Sequence, residues 1–164
     1  MAAMAVEPVS SDTDLMFLLS WCSHALATEH TAALAGLGVT PRSYCVLYKA
    51  LDGELTQSQL AEAGGLDKST MVLTMDELEE RGLAARTAST RDRRARIISV
   101  TEEGRRVVAE ATAIVTKVND EILGTLPSEL RQPFVAALTH LVEGRLASLP
   151  DCERPPRRRA TRSR

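Results

Sequence analysis

Aromatic side chains are nearly missing from this chain of 164 residues: two Phe, two Tyr and one Trp, 3% of the total. A core built without them must come from Leu, Val, Ala, Ile and Met, which is a helix-forming composition. The length is enough for one domain with a real core. No run of about 18 apolar residues occurs, so no membrane span and no membrane partner are expected. The opening MAAMAVEPVSSD has neither a basic patch nor a long apolar stretch and does not read as a secretory signal. Three cysteines, Cys22, Cys45 and Cys152, are an odd number at unpatterned spacings. They point to reduced thiols in the cytoplasm rather than to a disulfide framework. Internal repeats are absent. So are a nucleophile elbow, a P-loop and any acid pair beyond surface carboxylates, so no catalytic residues are expected. His24, His30, His140, Cys22 and Glu29 lack compact ligand spacing, and His24 and His30 do not share a helical face. No metal and no cofactor are therefore expected.

Lysine is scarce too. Seventeen of the twenty basic residues are Arg, which favours bidentate contacts with phosphates and base edges over point charges. The formal net charge of −2 is unevenly spread. Arg81 to Arg106 holds eight Arg against Asp92, Glu102 and Glu103, and Glu153 to Arg164 holds six Arg against one Glu. Phosphate binding depends on such local patches and not on the total.

In chain order, residues 1–11 lack periodicity and are expected to be flexible. Leu15, Leu18, Leu19, Cys22, Leu26 and Ala33 place a first helix over about 12–35, ended by Gly36 and Gly38. Thr40-Pro41 reads as N-cap and first turn of a second helix reaching about Leu51. Glu54-Leu55 reads as a very short strand, and Thr56 to Gln59 as a capping box opening a third helix to about Ala63. A Gly-Gly turn follows, and Asp67 can cap a fourth helix. Thr101 can cap a fifth, with Glu102 and Glu103 in its first turn, reaching about Leu123. A last helix carries Leu130, Phe134, Leu138, Leu141, Val142 and Leu146. Pro133 is acceptable there only if that helix begins near Gln132 or kinks. Residues 150–164 are Arg-rich, with nothing to pack, and are expected to be disordered.

Asp67 to Gly104 carries most of the information. Met71, Met75 and Leu78 fall on one helical face, with Gly82 just beyond the C-terminus. Leu83 to Thr87 and Arg96 to Val100 then read as two short strands flanking a polar tip with Arg91, Arg93, Arg94 and Arg96. A helix followed directly by a basic β-hairpin outlines a winged helix-turn-helix, over about 40–104.

The run DRRARIISVTEEG resembles the wing signature of the MarR family of transcriptional regulators, with Asp92, Arg94, Thr101 and Gly104 in the signature positions. The preceding LEERGLAAR is similar to the family's recognition-helix exit, through Leu78, Gly82 and Arg86. The resemblance covers about 12–149. It implies a mainly α fold with a small β wing, intertwined as a homodimer through helices over about 12–35 and 102–149. The apolar seam of the last helix fits such pairing.

The expected function is a sequence-specific double-stranded DNA-binding regulator, a repressor relieved by a ligand and acting on a palindromic operator. Alternatives are a thiol- or metal-responsive regulator and a winged-helix protein-interaction module. Expected DNA-binding residues are Gln57, Ser58, Lys68, Ser69, Thr70, Leu73 and Thr74 with Arg91, Arg93, Arg94 and Arg96 of the wing. Leu73 suits a thymine methyl, and Arg94 a minor groove. By resemblance Asp92 braces the wing instead of touching DNA. Many family members carry a further basic residue mid-helix, near Leu73 or Glu77; this chain carries none. Trp21, His24, Arg42, Tyr44 and Tyr48 form a ligand-pocket set suited to a small anionic aromatic compound. Equally, Tyr44 and Tyr48 can be core residues, and Arg42 can cap its helix or meet phosphate. Cys22 reads as a buried small hydrophobe: in peroxide-sensing relatives the cysteine falls where this chain has Met16.

Overall fold

A computed structural model describes residues 14–51, 53–89 and 96–147. The two termini expected to lack structure lie outside the described residues, as do Arg91, Asp92, Arg93 and Arg94. The described elements, in order, are α1 (Leu15–Leu34), a 3-10 turn (Ala35–Leu37), α2 (Pro41–Ala50), α3 (Gln57–Ala63), α4 (Lys68–Glu80), β1 (Ala84–Ala88), β2 (Arg96–Val100), α5 (Glu102–Gly124) and α6 (Ser128–Glu143). The chain divides into two compact units, Met1–Glu121 and Ile122–Arg164. No helix among the described residues is long and apolar enough to cross a membrane.

In the first unit four helices begin at side-chain caps, three of which, Thr40, Thr56 and Asp67, the sequence announces. Asp14 accepts from the Phe17 amide, Thr40 from Ser43, Thr56 from Gln59 and Asp67 from Thr70, each satisfying a backbone donor that a helix start leaves open. Thr56 and Gln59 close a full capping box. The core gathers Val46, Leu47 and Ala50 from α2, Leu60 and Ala61 from α3, Met71, Met75 and Leu78 from α4, and Val107, Val108 and Ala111 from α5. Each large side chain buried there contributes on the order of 1.5–3 kcal/mol relative to exposure. Leu34 alone on α1 is buried, whereas Leu15, Met16, Phe17, Leu18 and Trp21 are exposed. Cys22 is exposed as well, which corrects the reading of it as a buried hydrophobe.

β1 and β2 pair antiparallel, from Ala84 opposite Val100 to Ala88 opposite Arg96. The short strand expected at Glu54-Leu55 reduces to one bridge between Thr56 and Ile97, with the Ile98 amide donating to the Leu55 carbonyl at 3.0 Å. The corner leading from α4 into the hairpin is tightly specified. Gly82 takes φ +66°, and the Leu83 amide donates to the Leu78 carbonyl at 2.9 Å, closing the helix end. Thr101 fastens α5 to that corner: its hydroxyl donates to the Gly82 carbonyl at 2.8 Å and accepts from the Gly104 amide at 3.0 Å. A Cβ on Gly104 would lie 2.0 Å from the Leu83 carbonyl oxygen, so α5 can approach the corner only with glycine there.

In the second unit Arg131 closes the turn between α5 and α6, donating to the Gly124 carbonyl at 2.9 Å and the Leu126 carbonyl at 3.0 Å. α6 starts at Ser128 with Pro133 inside it, so of the two alternatives, a start near Gln132 or a kink, the later start does not hold. The ring takes one amide out of the helical ladder and crowds the carbonyl of Glu129, four residues back. Leu130, Phe134, Val135, Val142 and Leu146 of α6 are exposed.

Candidate nucleic-acid interface

α3, its turn and α4 form a helix-turn-helix with the β-hairpin following directly. Met71, Thr74, Met75 and Leu78 face the core. Lys68, Ser69, Val72 and Leu73 face outward from the first half of α4. Gln57 and Ser58 at the start of α3 share a cleft of about 310 Å³ with Lys68, Met71 and Val72, so the N-terminal ends of both helices open on one surface. Of the expected DNA-reading residues on these helices, the structure exposes Ser58, Lys68, Ser69 and Leu73 and half-buries Gln57 and Thr70. Thr70 turns its hydroxyl back to Asp67 at 2.7 Å.

Thr74 departs from expectation. It is buried, and its hydroxyl donates to the Thr70 carbonyl at 2.8 Å. The spacing held the reason: positions 71, 74, 75 and 78 make one helical stripe, so whatever buries Met71 and Met75 buries Thr74. Of the wing arginines, the described Arg96 is exposed at the start of β2.

The second half of α4 is acidic, which would repel phosphates if left alone. Arg86 of β1 answers this. Its guanidinium pairs with Glu79, lies 2.8 Å from Asp76 and donates through Nε to the Gln57 side chain at 3.1 Å. Its own amide donates to Glu79 at 2.8 Å. One side chain thus ties the strand entering the wing to α4 and to the start of α3, and screens two of the four late acids. Reasoning from the sequence placed Arg86 only in a motif and missed this role. An arginine in the middle of a short half-buried strand, just after an acidic helix, was the available signal. A second arginine fixes the other side of α4: Arg81 donates to the carbonyls of Gly38 and, at 3.0 Å, Leu37, at the end of the 3-10 turn.

At the N-terminus of α4 the Thr70 amide, and then the Thr70 hydroxyl, hold the Asp67 carboxyl below the ordinary aspartate range. Asp67 therefore stays ionised as a cap, its charge directed at the helix's own donors.

Four of the five residues expected to line a ligand pocket, all but Arg42, lie in two ring pairs. Tyr44 and Tyr48 have centroids 5.8 Å apart on α2, and Trp21 and His24 lie 6.3 Å apart on α1. Tyr44 is half-buried against the core and its hydroxyl meets that of Thr112 at 3.2 Å. Tyr48 and Arg42 are exposed, and Thr40 rather than Arg42 caps α2. Among the described residues no group of three His, Cys, Asp or Glu side chains gathers as a metal site. His30 instead meets Asn119 at 3.0 Å.

Residues 37–95 match the family model described as MarR family. The fold is similar to that of CouR from Rhodococcus jostii RHA1 bound to p-coumaroyl-CoA, at 35% identity and a TM-score of 0.70, over 82% of this chain and 95% of that one. A MarR-family transcriptional regulator from Rhodococcus sp. RHA1 matches at 34% identity and a TM-score of 0.71, over 82% of this chain and 97% of that one. A MarR family protein of Mycobacterium tuberculosis in complex with salicylic acid matches at 27% identity and a TM-score of 0.68, over 81% and 99% of the two chains.

Proposed function

Since the chain belongs to the MarR family of transcriptional regulators, we propose that it binds a palindromic double-stranded operator as a homodimer in the cytoplasm. On this reading it is a repressor, carries out no chemistry, and is released by a small anionic aromatic ligand. The observation that carries the reading is the outward half of α4. Lys68, Ser69, Val72 and Leu73 stand clear of the core, and Arg86 pairs with Asp76 and Glu79, two acids that would otherwise repel a phosphate backbone. The helix enters a major groove by its N-terminal end, and Arg91, Arg93, Arg94 and Arg96 of the wing reach the backbone and the adjacent minor groove, with Asp92 bracing Arg94.

Dimerisation is supported by the apolar side chains that one chain leaves in water on α1 and α6. A two-fold dimer presents two copies of α4 in opposite orientation, which makes a palindrome the natural target. The ligand class is supported by the exposed Arg42 and the rings of Trp21, His24, Tyr44 and Tyr48. Relatives at 35% and 27% identity hold p-coumaroyl-CoA and salicylic acid, both built on an aromatic ring.

Selecting duplexes from a random pool tests the proposal. A recovered inverted repeat, bound by two copies of the chain and released by hydroxycinnamate or salicylate compounds, is the expected result. Recovery of no enriched duplex would exclude sequence-specific DNA binding.

A further inference from the structure

The outward face of α4 carries few groups able to hydrogen-bond a base. Within its first half, Lys68 and Ser69 are exposed and polar, and both sit in the opening turn. Thr70 is turned back to Asp67 and Thr74 is buried. Asp76, the next outward polar residue, is paired with Arg86. Between these lie two neighbouring apolar side chains: Leu73 is 71% exposed and Val72 44% exposed. Val72 also lines the cleft shared with Gln57, Ser58 and Lys68, so it stands on the same surface as the α3 terminus. The two stand one turn beyond Lys68 and Ser69 on the same outward face, in the middle of the helix.

An apolar side chain has one feature to distinguish in a B-form major groove. Of the four bases, thymine alone offers a methyl group there; the other edges present donors and acceptors that leucine and valine cannot satisfy. Facing those polar edges would strip them of water without return. A patch of two residues bordered by Lys68, Ser69 and Asp76 is also too small for a protein interface of ordinary size. Resting on the DNA-binding reading above, we infer that Val72 and Leu73 form a methyl-reading patch, so that each half-site is selected for thymines under the middle of α4. The patch reads C5-methyl groups and takes the place of a charged mid-helix reader. Specificity then arises from burying methyls, and affinity from Lys68, the wing and the phosphates.

The probe is the best duplex selected by the protein from a random pool, remade with each thymine singly replaced by uracil, which removes the methyl and keeps every hydrogen bond. The account expects one or two adjacent positions per half-site where uracil weakens binding about fourfold each, the factor for about 0.8 kcal/mol per methyl-sized group buried. At one of them the uracil penalty disappears in Leu73→Ala, and at its neighbour in Val72→Ala. Both side chains are exposed, so the variants keep the fold, checked by circular dichroism and by unchanged salt dependence. Uracil duplexes that all bind as tightly as the parent overturn the inference while leaving the DNA-binding reading in place. So does a uracil penalty that persists unchanged in both alanine variants. Failure to bind any duplex overturns both readings together.

Discussion

Arg86→Ala removes the one guanidinium shared by Asp76, Glu79 and Gln57. The Arg86 side chain is 26% exposed, so solvent screens the pairs in part. The expected loss is about 1–2 kcal/mol of unfolding free energy, read in urea. The loss of operator affinity should be larger than instability explains, because two acids on the reading helix are then left facing DNA. Arg86→Lys should not restore affinity, since a single ammonium cannot span three acceptors. Wild-type binding by Arg86→Ala would contradict the role assigned to it. The wing makes the other residue-scale prediction. Arg94→Ala should weaken operator binding strongly with the fold intact. If Arg94 enters a minor groove, the loss varies with A·T content beside the half-site; if it meets only phosphate, the loss is uniform and the salt slope falls by about one. Asp92→Ala should also weaken binding, although it removes a charge that repels DNA, because the wing loses its brace. Operator titrations of both variants decide this, and tighter binding by Asp92→Ala would show simple repulsion at work.

At the scale of elements, the start of α4 titrates. The folded Asp67 carboxyl lies below its ordinary value of 3.8, so the folded state binds this proton less readily than the unfolded state. The cap therefore contributes fully above pH of about 4, and its contribution is lost only as pH falls through the lower folded value. Asp67→Asn keeps a capping oxygen and removes the titration, so its stability should fall less than that of the wild type as the pH is lowered from about 5 into the acid range. Urea unfolding across that range checks it, and identical pH profiles would count against the cap. Gly104→Ala should cost about 1–3 kcal/mol, since the new methyl meets the Leu83 carbonyl and backbone must move. These helix starts were legible in the sequence because a cap is local: Thr40, Thr56, Asp67 and Thr101 each act within three residues. Met71, Met75 and Leu78 were legible through their period. What the sequence hid depends on distant partners. The Arg86 network joins residues up to 29 positions apart, and the Arg81 contacts cross 43 and 44. Pro133 left two alternatives open, a later helix start or a kink, and the local penalty alone did not choose between them; α6 begins at Ser128.

For the whole molecule, the apolar faces of α1 and α6 are what support the proposed homodimer. Leu15, Phe17 and Trp21 on one, and Leu130, Phe134 and Val142 on the other, are exposed in a single chain. Deleting residues 128–164 should abolish both self-association and specific DNA binding. Sedimentation of the full chain as a monomer at micromolar concentration, together with tight operator binding, would contradict the homodimer. An aromatic carboxylate that fits beside Arg42 and the ring pairs should raise the melting temperature and lower operator affinity, since a ligand shifts DNA binding only through its preference for one of two states. A broad panel that changes neither would remove the ligand switch from the account. The central claim, that α4 and the basic wing together bind duplex DNA, meets its most direct test in one titration. Affinity for the selected duplex and for a scrambled one is measured over a range of salt concentrations. The account predicts that both affinities fall steeply with salt, with a logarithmic slope of several units, roughly one per phosphate contact, and that the selected duplex stays the tighter at every concentration. Affinities that do not depend on salt, or that are equal for the two duplexes, would contradict it.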